Sequence, residues 1–383
     1  MKRLNSYIQN GVVSSTAYFS RVKIPFIILM LQAVCANLSF SFVPFFLKQQ
    51  GFSLPGIVLL YTLYSGLSLA TISLVQTYFL RNFLAAGFLV FSLAAVSFAV
   101  FSTSLSFFIY AFLIAINIAI YWITLNYIFF RNSQRKTNAV DSSFYMVLPG
   151  LISIIIPPLG AVFAQAFGFS KLFILSSILF IIPIGIVLKY VPQEKISTSF
   201  FNGVRNFKGL KTITLLEGSL QHFNGAIIPI YALLFLESSF DVGFFLGYVG
   251  IVGLAITLIL SNKSDKSQKR KGFIKILFFL LAVSIATLFF AKNVVAWYIA
   301  VGLFTIIYTI SSPLRLAISL DAKKPDLEFW KTREFFLNVG RMLTLGFAAF
   351  FFFMKSYLPL FILFGIIALV YPFVVNYKLT DIE

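Results

Sequence analysis

The sequence predicts an all-α membrane protein with twelve transmembrane helices in two pseudo-symmetric six-helix bundles, and three observations lead there. Hydrophobic residues make up 60% of the 383 and charged residues only 11%, with 49 Phe; a soluble domain carries about 45–50% and about 25%. Surface-to-volume scaling would leave too much of that apolar surface facing water, whereas a bilayer accepts it. The apolar runs reach the roughly 20 residues that cross a hydrocarbon core of about 30 Å. They lack the period-2 alternation of a barrel strand, so their backbone groups must pair within helices. Lys and Arg, finally, alternate from one side of these runs to the other.

Charge and turn clusters divide the chain into spans near residues 24–47, 54–78, 83–102, 105–130, 142–166, 171–190, 212–237, 241–260, 273–290, 294–318, 334–354 and 357–377. With the N-terminus cytoplasmic, the outward connections carry only Lys48, Lys171, Lys292 and Lys355, and Arg341 falls inside a span. The other Lys and Arg are read as cytoplasmic, the bias that orients membrane helices, so both termini lie inside. This accounts for the net charge of +18, which in a soluble domain would suggest nucleic acid. No nucleic-acid partner is expected. The first run, from about Ile24 past Leu47, is too long for a signal-peptide core and is read as an uncleaved span. One cysteine, Cys35, and one histidine, His222, exclude an internal disulfide and make Cys- or His-based metal and haem sites unlikely candidates. No cofactor is expected.

A shift of roughly 188 residues superimposes the boundaries of the first six spans on those of the last six, as in carriers built from two halves. Leu172, Phe173, Ile174 and Leu175 recur at the same shift as Leu360, Phe361, Ile362 and Leu363. The predicted division is an N-terminal bundle over 1–190, a cytoplasmic linker over 191–211 and a C-terminal bundle over 212–383. Within the linker, Phe200, Val204 and Phe207 at helical spacing suit either a short helix on the inner leaflet or a solvated connection.

Two halves of this size, short external loops and a basic central loop resemble the major facilitator superfamily of secondary transporters. After span 8, Asp265, Lys266, Lys269 and Arg270 match the charges of that family's loop signature, Gly-x-x-x-Asp-Arg-x-Gly-Arg-Arg, while Ser261 and Gln268 replace its glycines. At the equivalent place in the first half, Thr77 stands where the Asp should be and Arg81 is the only cation. Gly150 with Pro157, Pro158, Leu159 and Gly160 is similar to the family's span 5 motif. The resemblance implies a latch in which the loop meets the start of span 5, with Asp265 at the positive helix end and Lys266 or Arg270 near Asp141. Topogenic charge alone is the alternative.

The resemblance also implies that spans 1, 4, 7 and 10 line a central cavity, and these are the polar spans. Span 7 carries Glu217, Gln221 and Asn224 on one face with His222 beside it; span 4 carries Asn117, Tyr121 and Thr124 with Trp122 and Asn126; span 10 carries Thr305, Tyr308 and Ser312; span 1 offers Gln32 and Asn37. Spans 3, 6, 9 and 12 are almost wholly apolar and read as lipid-facing. Each polar residue could instead be interhelical packing. Glu217 and Arg341 lie about 8 Å and about 10 Å from the cytoplasmic ends of spans 7 and 11. They are expected to pair, with Asn338 in support and Glu334 as the competing partner of Arg341. Glu217 and His222 could carry protons, or the pair could be structural.

The expected function is a secondary transporter moving a small solute by alternating access, not an enzyme. No phosphate-binding Gly-x-x-x-x-Gly-Lys-[Ser/Thr] loop occurs, so a gradient would supply the energy. A neutral polar solute such as a sugar suits the amides, hydroxyls and rings; an exporter of amphipathic or drug-like compounds suits them too. A membrane-embedded enzyme is disfavoured because the external loops hold only Glu237 and Asp241 as acids. A non-transporting receptor or scaffold on the same fold is the third reading. The expected partners are a small-molecule substrate and the lipid bilayer, the expected state a monomer, and the expected location the plasma or inner membrane.

Overall fold

The computed structural model describes residues 23–134, 138–264 and 270–379. Long helices dominate: α1 (Lys23–Gln49), α2 (Leu54–Leu74), α3 (Leu80–Val100), α4 (Thr103–Phe130), α5 (Asn138–Phe167), α6 (Phe169–Tyr190), α7 (residues 210–232), α8 (Ser239–Ser264), α9 (Arg270–Phe290), α10 (Val294–Ala322), α11 (Leu327–Phe353) and α12 (Leu358–Lys378). Among the described residues, ten helices are long and apolar enough to cross a membrane. Local chemistry starts several of them: Ser53, Asn293 and Asp326 each accept a backbone N–H three residues on, which satisfies a donor the helix cannot.

Several boundaries depart from expectation. Helix α2 stops at Leu74, and Thr77–Phe79 forms a strand, β1, paired antiparallel with β2 (Lys195–Ser197) in the linker. The run Val75 to Phe79 is rich in β-branched and aromatic residues, which fit a pleated strand better than a helix end. Helices α10 and α11 run past their expected inner limits to Ala322 and back to Leu327, so residues assigned to a loop are helical. The linker does form a short helix over the expected residues. Its helix, Phe200–Asn206, docks on the first turns of α11, with the Phe200 and Phe335 rings 4.9 Å apart and Phe207 stacked on Phe336 at 5.9 Å.

The packing repeats with an offset of six helices. Helix α3 packs on α4 and α6 as α9 packs on α10 and α12; α2 packs on α4 as α8 packs on α10. The two most extensive contacts between the sets are α2 along α11 and α5 along α8. The α5–α8 seam explains two sequence features together. A Cβ at Gly243, Gly247 or Gly250 would fall within 3.1 Å of backbone atoms at Pro157, Ile154 and Ile154, so the glycine row on α8 receives the proline-bearing face of α5. Helices α3, α6, α9 and α12 turn rows such as Leu89, Ile178, Val283 and Ile366 outward.

Candidate functional site: a central cavity and its charged wall

The site is set by how closely α7 and α11 cross. A Cβ at Gly218 would lie 2.1 Å from the Leu337 carbonyl oxygen, and one at Gly340 would lie 2.0 Å from that of Leu215. Only two glycines facing each other's backbone permit this approach. It brings Glu217 to Arg333, whose Nη2 donates to Oε1 at 2.5 Å. The expected Glu217–Arg341 pair is therefore corrected: Arg341 pairs with Glu334 at 3.5 Å and donates to Gln221 Oε1 at 2.6 Å and to Asn338 Oδ1 at 3.3 Å. Arg333 sits two turns closer to the start of α11 than Arg341. The longer helix, beginning at Leu327, puts it level with Glu217.

These contacts form one chain across the protein. Tyr145 donates to Asn126, Asn126 Nδ2 to Glu334 Oε1 at 3.5 Å, and Gln221 Nε2 to Glu217 Oε1 at 3.5 Å, with Arg341 between Glu334 and Gln221. Side chains of α4 and α5 are thus linked to those of α7 through α11. Arg315, first read as a cytoplasmic cation, is also inside: it lies in α10 with no exposed surface, its guanidinium carbon 4.7 Å from the Tyr308 ring centroid. Its sequence signal was position, since 315 falls inside the expected span 294–318, seven residues from Tyr308 on the same helical face.

A cavity of about 620 Å³ opens beside this network. Trp122, Gln221, His222, Asn224, Thr305, Tyr308, Ser312 and Arg341 line it, and Asn37 lines an adjoining space of about 350 Å³ that shares Ser153, Asn224 and Thr305. A π turn at Ile118–Trp122 and another at Phe223–Ile227 bring Trp122, Asn224 and Gly225 to the wall, a feature common at functional sites. His222 Nε2 meets the Tyr64 hydroxyl at 2.8 Å, joining α7 to α2. Ser312 reaches Met146, and Ser153 donates to Asn37 at 3.1 Å.

Four expected cavity residues line neither space. Asn117 donates to the Gly87 carbonyl at 2.7 Å, Tyr121 packs between Phe88 and Phe91, Thr124 bonds back to Ile120, and Gln32 is buried elsewhere on α1. The polar stripe of α4 faces α3 because Gly87 leaves room for Tyr121, the Cβ of which a Gly87 Cβ would meet at 2.5 Å. Ser153, Met146, Tyr64, Arg333 and Arg315 are the site's residues that the sequence reading left out.

Contacts tie the two sets of helices together on either side of this space. On the side that carries the linker, Asn138 Nδ2 donates to Asp321 at 2.8 Å and Lys331 Nζ to the Val75 carbonyl at 2.6 Å. Lys331 thus sits on the negative C-terminal end of α2 and also reaches Thr198 of the linker at 3.4 Å. On the far side, Lys48 donates to the Leu233 carbonyl at the end of α7. Of the expected latch, Asp265, Lys266 and Lys269 lie outside the described residues, as does the side chain of Arg270. Asp141 is buried in the first turn of α5 and accepts from Ser133.

Long apolar helices packed in two offset sets around a polar cavity define a multi-pass membrane protein of transporter type. The chain belongs to the major facilitator superfamily, the family model of which matches residues 25–327. No curated protein matches it in sequence. Its fold is similar to that of the human organic anion transporter MFSD10 (TETRAN), at 14% identity over 93% of this chain and 98% of that one, with a TM-score of 0.63. It is also similar to a POT family transporter solved in complex with 5-aminolevulinic acid, at 12% identity over 94% and 96% of the two chains, with a TM-score of 0.71.

Proposed function

We propose that the protein is a secondary transporter that carries a small organic solute through the central cavity by alternating access. In this reading twelve spans cross the cell membrane with both termini cytoplasmic. Residues 1–190 and 212–383 are the two moving halves, and 191–211 is the cytoplasmic link. The observation that carries the reading is the cavity, lined from helices of both halves, with ties between those halves on either side of it. A solute can enter or leave only when one set of ties breaks while the other holds, which is the logic of a carrier rather than a channel. The transporters of similar fold, one titled an organic anion transporter and one bound to 5-aminolevulinic acid, support a small organic cargo.

The Glu217–Arg333 contact at 2.5 Å, with both side chains buried, ties α7 to α11 and favours a structural role for Glu217. A cross-link tests the moving halves. Cysteines replacing Asn138 and Asp321 are expected to join on oxidation, abolish solute flux in liposomes and release it on reduction. The native Cys35 is buried and does not compete. Undiminished flux through the cross-linked protein would refute alternating access at this end.

A further inference from the structure

The charges buried at the depth of the cavity do not cancel. Glu217 and Glu334 are matched by Arg333 and Arg341, which leaves Arg315. Arg315 has no exposed surface, and its Nε, Nη1 and Nη2 make no hydrogen bond among the described residues. A guanidinium cannot shed its proton to escape burial, and an unmatched charge inside a membrane protein is costly enough to mark a functional position. Turning Arg315 onto the unpartnered Oε2 of Glu217 would pair the atoms without balancing the charge, since two guanidinium groups would then share one carboxylate.

Arg315 touches the cavity lining through one residue. Its guanidinium lies against the Tyr308 ring, and Tyr308 lines the cavity. Phe304 stacks on the same ring at 5.4 Å, so with Arg315 over it the ring has little negative face left to offer a second cation. Arg341 is the only formally charged residue of the lining; no carboxylate belongs to it among the described residues. Gln221, His222 and Asn224 add polar groups beside Arg341, while Trp122, Met146 and Leu254 offer an apolar surface. A cavity of about 620 Å³ is of the size that encloses small organic ligands.

We propose that the transported solute is a small organic monoanion of the carboxylate class. Its charged end seats between Arg341 and Tyr308, and its apolar body lies toward Trp122. Its negative charge supplies the balance that Arg315 lacks. A neutral sugar would leave that positive charge unanswered, and a cation would add to it. The inference rests on the transporter reading but can fail separately from it.

The test uses the full-length protein and a matched panel: acetate, benzoate and hippurate, each beside its primary amide. Thermal unfolding in detergent reports binding by mass action, and uptake into liposomes reports flux. At least one carboxylate is expected to raise the melting temperature where its amide does not. Arg341→Gln and Arg315→Gln should each weaken that carboxylate by at least about tenfold, and Arg341→Lys should retain part of the preference. Amides that stabilise as well as carboxylates, or a panel in which no carboxylate binds, would overturn the assignment. Neutral solutes that cross while carboxylates neither bind nor compete would also overturn it and leave the carrier intact. Carboxylates that bind without crossing would uphold the ligand class and sink the carrier.

Discussion

Gly340→Ala tests the crossing on which the site depends. The added Cβ would lie 2.0 Å from the Leu215 carbonyl oxygen, and real Cβ contacts essentially never fall under 3.0 Å. The obstacle is backbone, so no side chain can swing aside. The helices must part by about 1 Å, since packed interiors have no slack to absorb the difference. That movement stretches the Arg333–Glu217 contact from 2.5 Å to about 3.5 Å. Overpacking of this kind costs about 1–3 kcal/mol, and loosening a buried pair, worth about 3–5 kcal/mol when fully broken, adds to it. The expected loss is about 2–4 kcal/mol. Thermal unfolding followed by tryptophan fluorescence reads it, because Trp330 is buried at the start of α11. Gly346→Ala is the control on the same helix: nothing lies within 4 Å of its Cβ, and alanine there should stabilise by up to about 1 kcal/mol. Equal stability of the two variants would show that the glycine contact does not hold α7 and α11 together.

Glu217→Gln leaves Arg333 facing a neutral amide and should destabilise by about 3–5 kcal/mol; Glu217→Gln combined with Arg333→Met should recover much of that loss in the same unfolding assay. Lys331→Met removes a buried charged donor from the Val75 carbonyl and Thr198, at a cost of about 1.5–3 kcal/mol, and frees the linker end of α2. A cysteine placed at Gln76 should then react faster with a water-soluble thiol reagent; an unchanged rate would mean that Lys331 does not tie α2 to α11. Tyr64→Phe removes the 2.8 Å contact with His222 and should cost about 1 kcal/mol, with uptake impaired more than stability if that contact orders the cavity wall.

Much of the architecture was legible because the bilayer imposes a one-dimensional rule. A run of about 20 apolar residues must form a helix in lipid whatever it later touches. The polar stripes of α7 and α10 follow from the 3.6-residue period, and they do meet at the cavity. The same period misled on α4. Asn117, Tyr121 and Thr124 share a face as expected, yet that face turns to α3, where Gly87 makes room.

Periodicity says which residues of a helix lie together and is silent on which neighbour they meet. That silence decided the ion pairs. The sequence by itself determined that one carboxylate, Glu217, and one guanidinium, Arg341, would be buried at membrane depth and would need partners. Only the tertiary structure decided that Glu217 meets Arg333, that Arg341 meets Glu334, and that Arg315 meets no carboxylate among the described residues. The physical reason is that a salt bridge depends on ångström-scale registration between helices far apart in the chain, here fixed by Gly218 and Gly340, whereas hydropathy depends only on composition along one segment.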